Sequence, residues 1–218
     1  MTDAIRGKGI GMRRMEEAPA TERAITDAVF EIMATTDIPD IRVVDVIRRA
    51  RVSKSTFYRR FSSVDDVVKR FEDEILEGMG EINEVALKAR FNDAELDPTP
   101  TMIRRMEVLQ EHREKIVALN GQHGDPVFTH KATVFMHDHF RKRLGALPCG
   151  EDTWDLYLSF AIAGHHNLIQ YWLEERPDLE PVVVATALNR FLYAPFFLEQ
   201  EAERLRPRPL HLERQGGR

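Results

Sequence analysis

Seven cationic side chains crowd the short stretch from Arg42 to Arg60: Arg42, Arg48, Arg49, Arg51, Lys54, Arg59 and Arg60, with Asp45 as the only acid among them. The local net charge is +6. The whole chain carries −5, so everything outside this stretch carries −11. A short basic segment on an acidic body is the electrostatic footprint of a nucleic-acid-binding unit joined to something else. A solvated helix face produces the same run of charge, so the spacing of the residues has to decide. Lys54, Ser55, Tyr58 and Arg59 stand at i, i+1, i+4 and i+5, which is one continuous face if the segment is helical. Their ammonium, guanidinium and hydroxyl groups are suited to guanine acceptors and phosphate oxygens in a major groove, and the Thr56 methyl to a thymine methyl. Phe57 and Phe61 lie on the opposite side and supply an anchor.

The elements that must position these groups are legible as helices. Ile25, Ala28, Val29, Ile32 and Met33 recur at the spacing of one helix face, with Thr21 as the expected N-cap and Glu22 in the first turn. Thr35 to Asp40 is a break. Val43, Val46, Ile47 and Ala50 mark a short second helix, and Arg51-Val52 a tight connection. Ser53 is the expected N-cap of a third helix carrying Phe57 and Phe61. Ser63 followed by Asp66 has capping-box spacing, and a long fourth helix is expected from Val64 towards Arg90. Two short helices with a tight turn and a basic second member describe a helix-turn-helix. Helical patterns resume over Thr101 to Asn120, Asp125 to Leu144, Asp152 to Glu175 and Leu179 to Glu203, punctuated by Gly and Pro. No strand alternation of useful length occurs, so the fold class is all-α.

Composition narrows the function classes. Of 218 residues, 43% are hydrophobic and 31% charged, which excludes a disordered or collagen-like chain. A single cysteine, Cys149, excludes an internal disulfide framework and a Cys-rich zinc module. The longest apolar run, Phe191 to Leu198, is interrupted by Pro195 and is far below the roughly 20 residues of a membrane helix. No membrane partner is expected. The N-terminal segment lacks the apolar stretch of a signal peptide, so a cytoplasmic location is expected. Residues 1–18 read as a flexible basic arm, 19–66 as a helix-turn-helix domain, 67–203 as a helical domain, for which effector binding and dimerisation are what the family resemblance given below implies, and 204–218 as a flexible tail.

The run from Val43 to Phe61 resembles the DNA-binding signature of the TetR family of transcriptional regulators. Ala50, Val52-Ser53-Lys54, Thr56-Phe57-Tyr58 and Phe61 are its most specific part. The resemblance covers roughly residues 20 to 70. It implies a non-enzymatic regulator, here taken as a repressor, that binds double-stranded DNA through Arg42, Val44, Ser53, Lys54, Ser55, Thr56, Tyr58, Arg59 and Arg60. Three positions depart from the family pattern. Arg51 replaces the usual Gly between the helices, so either it strains a positive-φ turn or the turn differs. Arg42 stands where Thr or Ser often caps the second helix, with Asp40 as a substitute cap. Val64 stands where a phosphate-contacting Lys often opens the fourth helix.

The resemblance further implies a homodimer built from the last two helices. Trp154, Leu158, Ala161, His165, Leu168 and Trp172 form one apolar stripe there. Val184, Leu188, Phe191 and Leu192 form another. Ordinary core gives the same stripes. Met102, Met106, Leu109, Phe128, Phe135, His139, Tyr157 and Phe160, joined by Met136 and Phe140, are candidates to line an effector pocket after the fourth helix. Gly121 to Lys131 is similar to the C-terminal domain of the subgroup that includes the activator of dihydroxyacetone kinase genes. That resemblance implies a protein effector in place of an unknown small molecule. The alternative reading is accordingly a regulator or helical interaction module governed by a protein partner. His123, His130 and His139 would form a metal site only if folding gathers them. No metal, no cofactor and no catalytic residue are expected, since no zinc-protease, nucleophile-elbow or nucleotide-binding motif is present.

Overall fold

The computed structural model describes residues 19–88, 98–144 and 151–192. They are helical throughout, with no strand among them. In chain order these are α1 (Ala20–Met33), a 3-10 turn (Ile38–Asp40), α2 (Val43–Ala50), α3 (Lys54–Arg60), α4 (Val64–Lys88), α5 (Pro100–Glu111), α6 (Arg113–Asn120), α7 (Pro126–Leu144), α8 (Glu151–Glu175) and α9 (181–192). No helix among the described residues is long and apolar enough to cross a membrane. The basic arm, Cys149 and the tail lie outside the described residues.

The apolar spacing of α1 buries Ile25, Ala28, Val29, Phe30 and Met33. They meet Val46 of α2, Phe57 and Phe61, and Val64, Val67, Val68 and Phe71 of α4 in one continuous core. Phe30 and Phe71 meet edge to face with centroids 4.8 Å apart, a geometry that suits the aromatic quadrupole. Phe57, fully buried, contributes about 1.5–3 kcal/mol by leaving water.

Some helix ends differ from expectation. The first helix starts two residues earlier, after Pro19, so Thr21 lies inside it and caps nothing. Pro19 offers no N–H that needs a partner there. Asp40 sits in the 3-10 turn and does not cap α2. Its N-cap is Arg42, without a side-chain cap bond. Ser53 does cap α3, accepting from the Thr56 N–H at 3.1 Å. Ser63 caps α4, its Oγ accepting from the Asp66 N–H at 3.1 Å, while the Asp66 carboxylate reaches back one residue past the cap to accept from the Ser62 N–H at 2.7 Å.

The span Thr101 to Asn120, expected as one helix, breaks at His112 into α5 and α6. Its sequence holds no Gly or Pro at the break. His112 instead packs against Phe71 of α4, with ring centroids 5.9 Å apart. The chain re-enters α7 through Gly124, where any Cβ would overlap the Leu119 carbonyl. Only glycine allows that approach, and the next N–H, of Asp125, donates to the same carbonyl at 2.9 Å.

The head and body are joined by more than the shared helix α4. α1 packs on α6, with Lys115 bridging to Asp27 at 2.6 Å. His123 contacts Asp37 at 2.6 Å. In the body, α4, α5, α6, α7 and α8 surround a second stretch of core. Trp172 closes the turn between α8 and α9 by donating to the Leu179 carbonyl at 3.0 Å.

Candidate nucleic-acid interface and ligand cavity

The turn between α2 and α3 keeps its left-handed residue although that residue is Arg51. Its φ and ψ are 55° and 40°, the only positive φ outside glycine among the described residues. The Val52 N–H donates back to the Ile47 carbonyl at 3.0 Å, the closing bond of a Schellman-type helix end. The turn therefore does not differ. The backbone holds a side chain in a region that costs an L-residue about 1 kcal/mol.

This turn presents α3 outward. Lys54, Ser55, Tyr58 and Arg59 are exposed while Phe57 and Phe61 are buried beneath them. Lys54 Nζ lies 6.0 Å from the Tyr58 ring centroid, and Tyr58 is half exposed. Neither Lys54 nor Arg59 has a carboxylate partner among the described residues. Val44 of α2 is exposed on the surface as well.

The other expected DNA contacts are already engaged. Ser53 and Thr56 bond each other through their hydroxyls at 2.8 Å, and Ser53 also meets Ser55 Oγ at 2.9 Å. Arg42 is exposed but donates to Asp45 at 2.9 Å, which also binds Arg48. Arg60 turns inward to Glu22 of α1, at 3.0 Å, while its carbonyl accepts from Arg70. Arg60 thus holds the head together in this structure, a role that charge counting missed. Val64 is buried and packs in the head core, where a lysine would have to reach out.

The body contains a cavity of about 100 Å³, open to solvent on one side, between α4, α5, α6, α7 and α8. Of the pocket residues expected from spacing, Leu109, Phe128, Phe135 and Met136 line it. Met102, Met106 and Phe140 are buried elsewhere. His139 lies one layer behind the wall, 3.5 Å from Arg105. Tyr157 stacks on Trp154 and donates to the Leu192 carbonyl, so it fastens α8 to α9 instead. Phe160 is 80% exposed on the outer face of α8 and cannot line the cavity. The walls that spacing missed are Ile75, Leu76 and Met79 of α4, Arg105 of α5, and Ile162, His165, His166 and Ile169 of α8.

Two histidines in this region are held neutral. Burial pushes His165 down to about 3, helped by the charges of Arg105, His166 and His139. Burial likewise lowers His139 to about 3, with Arg105 the next cause. His123, His130 and His139 do not meet. No group of three or more potential metal ligands occurs among the described residues.

The stripes expected to join two copies face inward. Trp154, Leu158, Ala161, His165, Trp172, Val184, Leu188 and Leu192 are buried in the chain's own core, and Leu168 is partly so; only Phe191 is exposed. The apolar side chains left in solvent on the same two helices are Leu156, Phe160, Tyr171, Val182, Val183 and Phe191. Ala163 and Gly164 lie among them, and a Cβ on Gly164 would meet nothing within 4 Å.

Comparison with known proteins gives this geometry a lineage. Residues 97–194 match the family model TetR_C_8, the transcriptional regulator C-terminal region. No curated protein matches the chain. Among solved structures, the dihydroxyacetone kinase operon activator DhaS is similar over 82% of this chain and 97% of its own, with 12% identity and a TM-score of 0.51. That likeness is one of fold. A TetR transcriptional regulator from Rhodococcus sp. RHA1 overlaps 82% of this chain and 96% of its own, with 14% identity and a TM-score of 0.45. With a helix-turn-helix at its head, the chain carries in its body, over residues 97–194, the C-terminal region of a TetR-type transcriptional regulator.

Proposed function

We propose that this regulator binds a palindromic DNA operator as a homodimer, and that a small molecule in the body cavity changes its affinity for that operator. The observation that carries the DNA half is the face of α3. Lys54, Ser55, Tyr58 and Arg59 are exposed together, on a helix whose back is locked by Phe57 and Phe61. One helix of seven residues reads few bases. Two copies related by a dyad would read half-sites about 34 Å apart.

Support for the second copy comes from the outer face of α8 and α9. Leu156 (73% exposed) and Phe160 stand one turn apart on α8 with Ala163 and Gly164 in the next turn, and α9 exposes Phe191 (70%). Single exposed apolar residues need no explanation, but a clustered face on two adjacent helices suits burial by a partner. Two helices from each copy would then form a four-helix contact.

Control would run through α4. Its first turns pack Val64, Val67, Val68 and Phe71 against the head, and its middle turns place Ile75, Leu76 and Met79 in the cavity wall. Twenty-five residues of helix make a rod about 37 Å long. A ligand that displaces its middle turns moves the α3 helices of both copies. To act, the ligand must bind the DNA-competent and incompetent states unequally, and DNA must in turn change ligand affinity by the same factor. The cavity favours a small molecule over the protein effector of the alternative reading.

The test is selection of duplexes from a random pool, followed by affinity for the enriched sequence across a salt series. Enrichment of a palindrome with steep salt dependence is expected. No enrichment at low salt would overturn the reading.

A further inference from the structure

Ion pairing divides the cations of the head into two groups. Arg42 and Arg48 share Asp45, Arg49 lies 3.2 Å from Glu31, and Arg60 and Arg70 both reach Glu22. Between Arg42 and Arg60 that leaves Arg51, Lys54 and Arg59, which are exposed and have no carboxylate partner among the described residues. Lys54 and Arg59 belong to the face of α3 already described. Arg51 precedes that helix and stands in the turn.

Its backbone makes its presence there costly. Arg51 is held at φ 55° and ψ 40°, a left-handed conformation that glycine adopts freely and an L-residue does not. The geometry is fixed from both sides. The N–H groups of Arg51 and Val52 both donate to the Ile47 carbonyl, and Ser53 then caps α3. No hydrogen bond, ion pair or ring contact of the Arg51 side chain offsets the strain among the described residues. A side chain kept in a strained backbone position without a partner in the fold points to a partner outside it.

The place of the turn says what that partner is. A major groove admits one helix, so when α3 lies in it α2 stays outside, across the sugar–phosphate backbone. The turn that joins them passes over the phosphate rim. Arg51 is three residues before Lys54, at most about 10 Å of chain. The rims of a groove roughly 12 Å wide stand about 6 Å from its middle. A guanidinium presents a planar fork of N–H donors that matches phosphate oxygens.

We infer, resting on the reading of α3 as the helix laid in the groove, that Arg51 grips a backbone phosphate at the entrance to α3. The contact fixes the register of the head on the duplex and reads no base, because phosphates carry no sequence information. The rigid turn orders the contact before DNA arrives.

The test measures affinity of the full chain for a mixed-sequence duplex, and for any duplex enriched from a random pool, across a salt series. Arg51→Gly is expected to reduce the slope of log affinity against log salt by about 0.9, the share of one phosphate, on both duplexes. Parent and variant, close in affinity near 1 M salt, then separate by about eightfold at roughly 0.1 M. Arg51→Lys is expected to restore the slope. Arg176→Gln removes an exposed cation from the body, one paired with Asp178, and is expected to leave the slope unchanged. Glycine suits the turn, so a melting curve no lower than the parent's separates a lost contact from a lost fold. A slope unchanged in Arg51→Gly, not restored by Arg51→Lys, or reduced equally in Arg176→Gln overturns the inference. So does a loss confined to the enriched duplex, which would make Arg51 a reader of bases. If no duplex is enriched and the mixed duplex still shows the loss, the operator reading falls and this contact stands. If the parent binds neither duplex, both fall.

Discussion

The head and the body of this protein are built from the same kind of amphipathic helix, yet they place their functional groups by different rules. In the head, the groups proposed to read DNA sit on the outside of a short helix. The polar face of α3 is fixed by two phenylalanines only three and four residues from it, and by a cap at Ser53. In the body, the cavity is made by five helices, and its wall residues come from positions as far apart as Ile75 and Ile169. Local chemistry sets the first site. The second exists only after distant segments have packed.

The largest effect should come from testing the two sides of α8. Trp172→Ala removes a buried ring that also closes the α8–α9 turn, and is expected to cost about 3–5 kcal/mol in chemical denaturation. Phe160→Glu changes a side chain in solvent and is expected to leave the subunit folded, while sedimentation shifts from dimer to monomer and operator affinity falls. Equal loss of stability in both variants would erase the distinction between inner and outer face.

Next in size is the contrast within the head. Tyr58→Ala is expected to weaken operator binding by about tenfold, the scale of one lost phosphate contact of roughly 1–1.5 kcal/mol, with an unchanged melting temperature. Arg60→Ala is expected to lower the melting temperature instead, because Arg60 bridges to Glu22. A reversed pattern would mean that Arg60 leaves Glu22 when DNA is bound.

A third comparison concerns the seam between the two regions. Glu72 of α4 is only 1% exposed and accepts from Lys131 of α7 at 3.1 Å. Burial outweighs the lysine and, with Asp125 adding repulsion, raises its carboxyl from 4.5 to about 7. Between those values the folded chain holds a proton that the unfolded chain has released. Stability from this group is therefore present below about pH 4.5 and is lost as pH rises towards 7. Glu72→Gln should abolish that fall and match or exceed the parent by about 1 kcal/mol at pH 8 in thermal melts. The buried histidines act with the opposite sign. His139 and His165, held near 3, favour the folded state above pH 6.5 and withdraw that support as pH drops below it. A melt series that is flat from pH 5 to 8 in both proteins would break the assignment.

The smallest expected effect is at Arg51. Arg51→Gly relieves the left-handed strain but frees the unfolded chain, for a net gain of a few tenths of a kcal/mol. A clear loss in melting temperature would show that the arginine side chain contributes more than its backbone costs.

The helices of the head were legible because each rests on neighbours in the chain: the Ser53 cap, the Ser63 cap, and the Phe57–Phe61 spacing. The body's helices were legible as helices, apart from the break at His112, but not in orientation. Helix α8 is apolar nearly all round, with Trp154, Leu158, Ile162 and His165 on one side and Leu156, Phe160, Ala163 and Gly164 on the other. Periodicity finds both stripes and cannot rank them, since either satisfies the same spacing. The stripe expected between copies is the one the chain covers itself. His112 hid the break between α5 and α6 for a related reason: no Gly or Pro marks it, and its ring packs against Phe71 across the chain.

By itself, then, the sequence determined the all-helical class, the helix-turn-helix with its basic face, and the polar caps of α3 and α4. Those properties follow from interactions within a few residues. Tertiary packing decided that Arg60 faces Glu22, that Phe160 is outside and His165 inside, and that Arg105 lines the cavity. Burial and pairing belong to neighbours tens of residues away, and no spacing along one helix encodes which neighbour arrives.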